Sequence, residues 1–226
     1  MINKASKRWW IIFSISIFLC FLPYFLTFFP GVLTSDSLSS VRQSLGIEPL
    51  SNHHPILFTT LVSFFINVGV SLFNDVNIGV VLFSLFQMLA MSMILGYATY
   101  WTYSKRGSKI LTAVTLLFFR LNPVIAIYSI TMWKDVIFSG LMVILCLLLF
   151  DIVNSDGTIL TLNSSKIFYF TIIILIAFFR NNGVYIVAAL TFFLLLAPKK
   201  CNSILLKINT IALLFILIMQ GPVLIY

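Results

Sequence analysis

Residues 4–29 read KASKRWWIIFSISIFLCFLPYFLTFF. The basic residues Lys4, Lys7 and Arg8 lead into an apolar run over 9–29, long enough as a helix to cross a hydrocarbon core roughly 30 Å thick. No A-x-A-like cleavage site follows, so the run reads as a retained anchor and not as a leader. The same alternation continues along the chain, with apolar runs at 55–73, 76–103, 110–130, 136–153, 167–179, 184–197 and 204–226. Of the 226 residues, 61% are hydrophobic and 9% charged, against roughly 45–50% and 25% in soluble domains. A water-soluble globular domain is excluded. The expected fold is all-α: a single integral membrane domain over 1–226, a polytopic transmembrane bundle with about seven spans.

Fourteen Lys and Arg against six Asp and Glu give a net charge of +8. The bases sit in short clusters between apolar runs, which makes them orientation signals and argues against a nucleic-acid partner. The bilayer is the expected partner. Lys4, Lys7 and Arg8, then Lys105, Arg106 and Lys109, then Lys166, then Lys199, Lys200 and Lys207 all belong on the cytoplasmic side of a multi-pass cell-membrane protein, which puts the N-terminus there. That order works if one of the first three runs does not cross. The run 55–73 is the candidate, because Thr59, Thr60, Ser63, Asn67 and Ser71 form a polar stripe at helical spacing. The alternative is a true span whose hydroxyls bond back to their own helix. With 55–73 lying at the interface, 30–77 becomes one external region holding two juxtamembrane helices. The halves of 167–197 are each too short to cross alone, and Arg180-Asn181-Asn182-Gly183 interrupts them. They are expected to form a short broken-helix hairpin. Cys20, Cys146 and Cys201 have neither disulfide nor metal-ligand spacing.

Candidate chemistry concentrates in the external segments. Thr34 or Ser35 caps a short helix in which Asp36, Ser40 and Gln43 share one face, with Leu38, Val41 and Leu45 opposite. Asp36 is a candidate base or cation holder; a first-turn Asp favoured by the helix dipole is the structural alternative. Arg42 either snorkels to headgroups or meets phosphate. His53 and His54 precede Pro55 at a helix start, where an anion can dock; without a third ligand they do not indicate zinc. Lys134 and Asp135 follow Trp133 on the external side, as an interfacial anchor pair or as a phosphate-binding cation and its partner. Arg180 within an apolar hairpin costs roughly 2.5–3.5 kcal/mol near the bilayer centre and calls for a carboxylate or a ligand phosphate. Asn181 and Asn182 then orient a sugar or stabilise the turn. Arg120 and Asn122-Pro123 are expected to form a kink that lets Arg120 reach an internal polar surface. No glycine-rich nucleotide loop, G-x-S-x-G or H-E-x-x-H is present.

The order of these motifs resembles the GT-C superfamily of polyprenyl-phosphate-dependent membrane glycosyltransferases. Phe29-Pro30-Gly31, Ser35-Asp36-Ser37 with Gln43, Asn52-His53-His54-Pro55, Trp133-Lys134-Asp135 and Arg180-Asn181-Asn182-Gly183 are similar to an uncharacterised Gram-positive branch of such proteins. The resemblance implies transfer of a sugar from a polyprenyl-phosphate donor to a glycan, lipid or protein acceptor on the external face. Asp36 then matches the first-loop acid that serves as base or helps hold a metal, and His54-Pro55 the pair that opens the second loop helix. Charge and topology make Lys134 and Arg180 candidates for the donor phosphate. A divalent cation is the one cofactor to consider, although Ser37 stands where relatives often have a second acid. Such enzymes usually have more spans, which sets the expectation of a truncated or split member. Three other classes compete: a cell-surface polysaccharide polymerase or ligase, a transporter or flippase of lipid-linked substrates, and an inactive scaffold.

Overall fold

A computed structural model describes residues 6–49, 55–106, 108–196 and 199–224. The chain is an all-α, multi-pass membrane bundle. Its helices are α1 (Arg8–Thr27), α2 (Ser35–Ser44), α3 (Ile56–Phe73), α4 (Val76–Arg106), α5 (Lys109–Leu121), α6 (Pro123–Ile130), α7 (Lys134–Asn154), α8 (Asn163–Phe179), α9 (Gly183–Leu196) and α10 (Lys199–Leu224). A two-residue parallel pair, β1 (Val32–Leu33) on β2 (Thr131–Met132), completes the described elements with a short 3-10 turn at Thr158–Thr161. Among the described residues, five helices are long and apolar enough to cross a membrane: α1, α3, α4, α7 and α10. The pair α5 and α6 makes a sixth candidate if counted as one bent span. As expected of the hairpin halves, α8 and α9 have 17 and 14 residues and fall short of a span, whereas α3, expected at the interface, is long enough for one.

The chain divides into two compact units, one of residues 1–50 and 59–140, the other of 51–58 and 141–226. In the first, α1 lies along α4, and Ile17, Phe21 and Phe25 of α1 pack with Met88 and Leu95 of α4 and Ala126 and Ile130 of α6. The closest approach is at Gly96, where any Cβ would collide with Ser14. Small residues at a crossing are how membrane helices gain contact, since lipid tails already solvate leucine as well as another helix would. Trp10 seals the same interface by donating its indole N–H to the Met93 carbonyl at 2.9 Å. The expected break at Asn122-Pro123 is present as a 55° bend. Pro123 opens α6, and the Asn122 side chain accepts from the backbone N–H of Val124 and Ile125 at 3.0 and 3.4 Å.

The second unit contains the hairpin α8–α9, with α10 packed on both. Arg180, Asn181 and Asn182 form the turn, closed by the Gly183 N–H on the Arg180 carbonyl at 2.7 Å. Within this apolar packing Asn209 donates to the Tyr169 hydroxyl at 2.8 Å and Gln220 to the Ala177 carbonyl at 3.0 Å. Both bonds are side-chain ties between helices of the kind that stabilise membrane bundles.

The two faces of α2 are not divided cleanly between protein and surface. Ser37, Ser40 and Gln43 are buried in protein together with Val41, whereas Leu38 and Leu45 are 44% and 37% exposed. The inner face of α2 is therefore mostly hydroxyl and amide, with Val41 among them, and Ser44 meets Ser63 of α3 at 2.9 Å between hydroxyls. At a bilayer surface leucine can face hydrocarbon, so the rule that apolar residues turn inward loses its force there.

Candidate functional site

The site is built where α2 begins and β2 passes into α7. Thr34 caps α2 from an extended conformation, and Ser37, three residues on, completes a capping box: the Thr34 hydroxyl accepts from the Ser37 N–H, and the Ser37 hydroxyl accepts from the Thr34 N–H at 2.9 Å. Ser37 is fully buried, and its hydroxyl also donates to the carbonyl of Met132. This bond couples the first turn of α2 to β2. The backbone does the same one step earlier, with Val32 in register with Thr131 and Leu33 with Met132. Gly31, at φ +141°, enters β1 so close to α4 that a Cβ would strike Ser84.

Gln87 holds the other side of β2. It is fully buried on α4, and its amide donates to the carbonyls of Tyr128, Ser129 and Thr131 at 3.3, 3.0 and 2.6 Å. These carbonyls lie at and just beyond the C-terminal end of α6, where helical partners run out. Gln87 and Ser37 thus fix β2 from two sides.

That arrangement brings Asp36 and Lys134 together. The Lys134 ammonium donates to Asp36 Oδ2 at 3.2 Å, with the lysine side chain 17% and the aspartate 41% exposed. The carboxylate keeps an open side. Trp133, the preceding residue, stacks on Tyr128 with ring centroids 5.8 Å apart and planes 18° from parallel. The stacked pair lines a half-open cleft of about 280 Å³ with Ser129, Asp135, Val136 and Ser139, close to the lower end of the usual range for small-molecule sites.

The other expected residues are placed as follows. Arg42 pairs with Glu48 at 3.2 Å, and Ser39 donates to the second Glu48 oxygen at 2.8 Å. Asp135 lines the cleft beside Lys134. Arg180 and Asn181 are partly buried in the α8–α9 turn of the second unit, and Asn182 is exposed there. His53 and His54 lie outside the described residues. Among the described residues, no group of three His, Cys, Asp or Glu is arranged to hold a metal. Ser37 is committed to the Met132 carbonyl, so its hydroxyl is not presented as a ligand beside Asp36. Gln87 and Ser84 belong to no motif in the sequence. The available signal was an amide within an otherwise apolar run, which must find partners indoors.

Residues 47–225 match the model of a family of unknown function, DUF6020. The chain belongs to that family. The matched region includes Lys134, Asp135 and the Arg180 turn, while Asp36 and its helix precede it. No curated protein and no solved structure gives a significant match.

Proposed function

We propose that this chain is a cell-membrane glycosyltransferase of the GT-C kind, moving a sugar from a polyprenyl-phosphate donor to a cell-envelope acceptor on the external face. The observation that carries the reading is the meeting of Asp36 and Lys134, a half-exposed carboxylate and a cation at one rim. Sugar transfer of this type needs both. The acceptor hydroxyl oxygen attacks the anomeric carbon as the bond from that carbon to the phosphate oxygen breaks. The electron pair leaves on the phosphate, where an ammonium stabilises the charge, and the acceptor proton passes to a carboxylate. Lys134 is suited to the first task and Asp36 to the second. Their mutual ion pair keeps each in place until substrate arrives.

The cleft lined by Trp133, Tyr128, Val124 and Ile125 supports the same reading, since an aromatic and apolar wall with the Asp135 carboxylate in its lining suits the face of a sugar ring. The test is transfer of radiolabelled sugar from a polyprenyl-phosphate donor in membranes containing the full chain, compared with Asp36→Asn and Lys134→Gln. Both variants are expected to lose transfer while still inserting. Undiminished transfer in either one refutes the assignment.

A further inference from the structure

We propose that Arg120 anchors a binding site for the phosphate group of a membrane lipid, independently of any sugar transfer. Arg120 lies in the last turn of α5, inside the bent pair that reads as one span. Leu117, Phe118, Leu121 and Val124 around it are each half exposed or more, and they make a face that bilayer chains cover. The guanidinium is half-buried, and its one polar contact among the described residues is a hydrogen bond from Nε to the Cys20 thiol at 3.2 Å. A thiol is a weak acceptor, and guanidinium stays charged in any protein setting. Of the five N–H donors, the four on the two terminal nitrogens therefore have no acceptor among the described residues.

The end of α5 favours a cation through its dipole, but a dipole does not satisfy a two-pronged fork. What does so is an anion presenting two oxygens, and phosphate fits that fork geometrically. The depth also fits. Cys20 precedes Thr27, the end of α1, by roughly 10 Å of helix at 1.5 Å per residue, so Arg120 sits in the half of the span nearer the α2 side. At that depth local thinning of the bilayer brings a lipid phosphate to the guanidinium, which keeps its contact with Cys20. Because the approach is apolar on all the sides just named, the phosphate arrives on a lipid and not free from water.

Cys20 is a reporter for occupancy. In the full chain carrying Cys146→Ser and Cys201→Ser, Cys20 is the one remaining thiol, and its alkylation by N-ethylmaleimide can be timed in neutral detergent. Added phosphatidylglycerol is expected to slow the reaction, whereas a glycosyl diacylglycerol with the same chains, or inorganic phosphate, leaves it unchanged. In Arg120→Gln the lipid concentration for half protection should rise about tenfold or more, with Arg120→Lys intermediate. Equal protection by the phosphate-free lipid makes the effect one of chain packing and overturns the proposal. Equal protection by inorganic phosphate overturns the lipid assignment, and unchanged protection in Arg120→Gln removes Arg120 from the site. Should Arg120→Gln fail to fold, the comparison of lipids on the unmutated arginine decides alone.

Discussion

Replacing Gln87 by leucine is the sharpest test of how the Asp36–Lys134 pair is held. The change keeps bulk and removes an amide that serves three carbonyls. The Tyr128 carbonyl also accepts the Thr131 N–H, so it keeps a partner. The carbonyls of Ser129 and Thr131 lose the shorter two bonds, each loss costing about 1–2 kcal/mol at a buried site. Against this, Gln87 Oε1 is buried with no hydrogen-bond partner among the described residues, so its removal returns about 1 kcal/mol. The net is a destabilisation of about 2 kcal/mol. Thermal unfolding in detergent should fall by roughly 4–8 °C, at about 2–4 °C per kcal/mol for a chain of this size. Gln87→Glu should be worse, because it sets a carboxylate against carbonyl oxygens. Site-directed disulfide formation between Asp36→Cys and Lys134→Cys reads the positioning effect, and Gln87→Leu should slow it. If Gln87→Glu unfolds no earlier than the native chain, or Gln87→Leu leaves cross-linking unchanged, Gln87 does not hold β2.

Ser37→Asp, which adds a second acid beside Asp36, should destabilise by about 3 kcal/mol, since a buried carboxylate would replace the hydroxyl that donates to Met132; thermal unfolding measures it. Gly96→Val should prevent α1 from seating on α4, because the new side chain would strike Ser14, and is expected to abolish a monodisperse peak in detergent chromatography. Arg42→Ala should change unfolding by less than about 1 kcal/mol, because its pair with Glu48 is exposed to solvent. Asp36→Asn and Lys134→Gln should likewise cost little stability, about 1 kcal/mol, while removing the transfer activity proposed above.

The elements that depend on local chemistry were legible in the sequence. The basic start and apolar run gave α1, Asn122-Pro123 gave the bend, and the polar interruption at Arg180 gave the α8–α9 turn. Each follows from propensity and length within a few residues. The orientation of α2 was not legible, because its pattern is the same whether leucine seeks a protein core or a bilayer, and only the surroundings choose between them. The pairing of Asp36 with Lys134 was not legible either. Each stands out as a functional group by itself, but nothing local to either residue specifies a partner 98 positions away. What brings them together is a hydroxyl, an amide and a two-residue strand pair, each ordinary when seen in sequence.

The parallel pairing of β1 with β2 also has a consequence in time. Val32 and Leu33 leave the ribosome long before Thr131 and Met132, and at about 5–20 residues per second the interval is roughly 5–20 s. During that interval α1, α3 and α4 can enter the bilayer, but Asp36 has no lysine and Ser37 no carbonyl. The rim is therefore a late product of biogenesis, completed when α6 and the start of α7 arrive. A chain stalled before residue 131 would carry a hydrated, unpaired carboxylate at the membrane surface, a state that insertion quality control could tell from the finished protein.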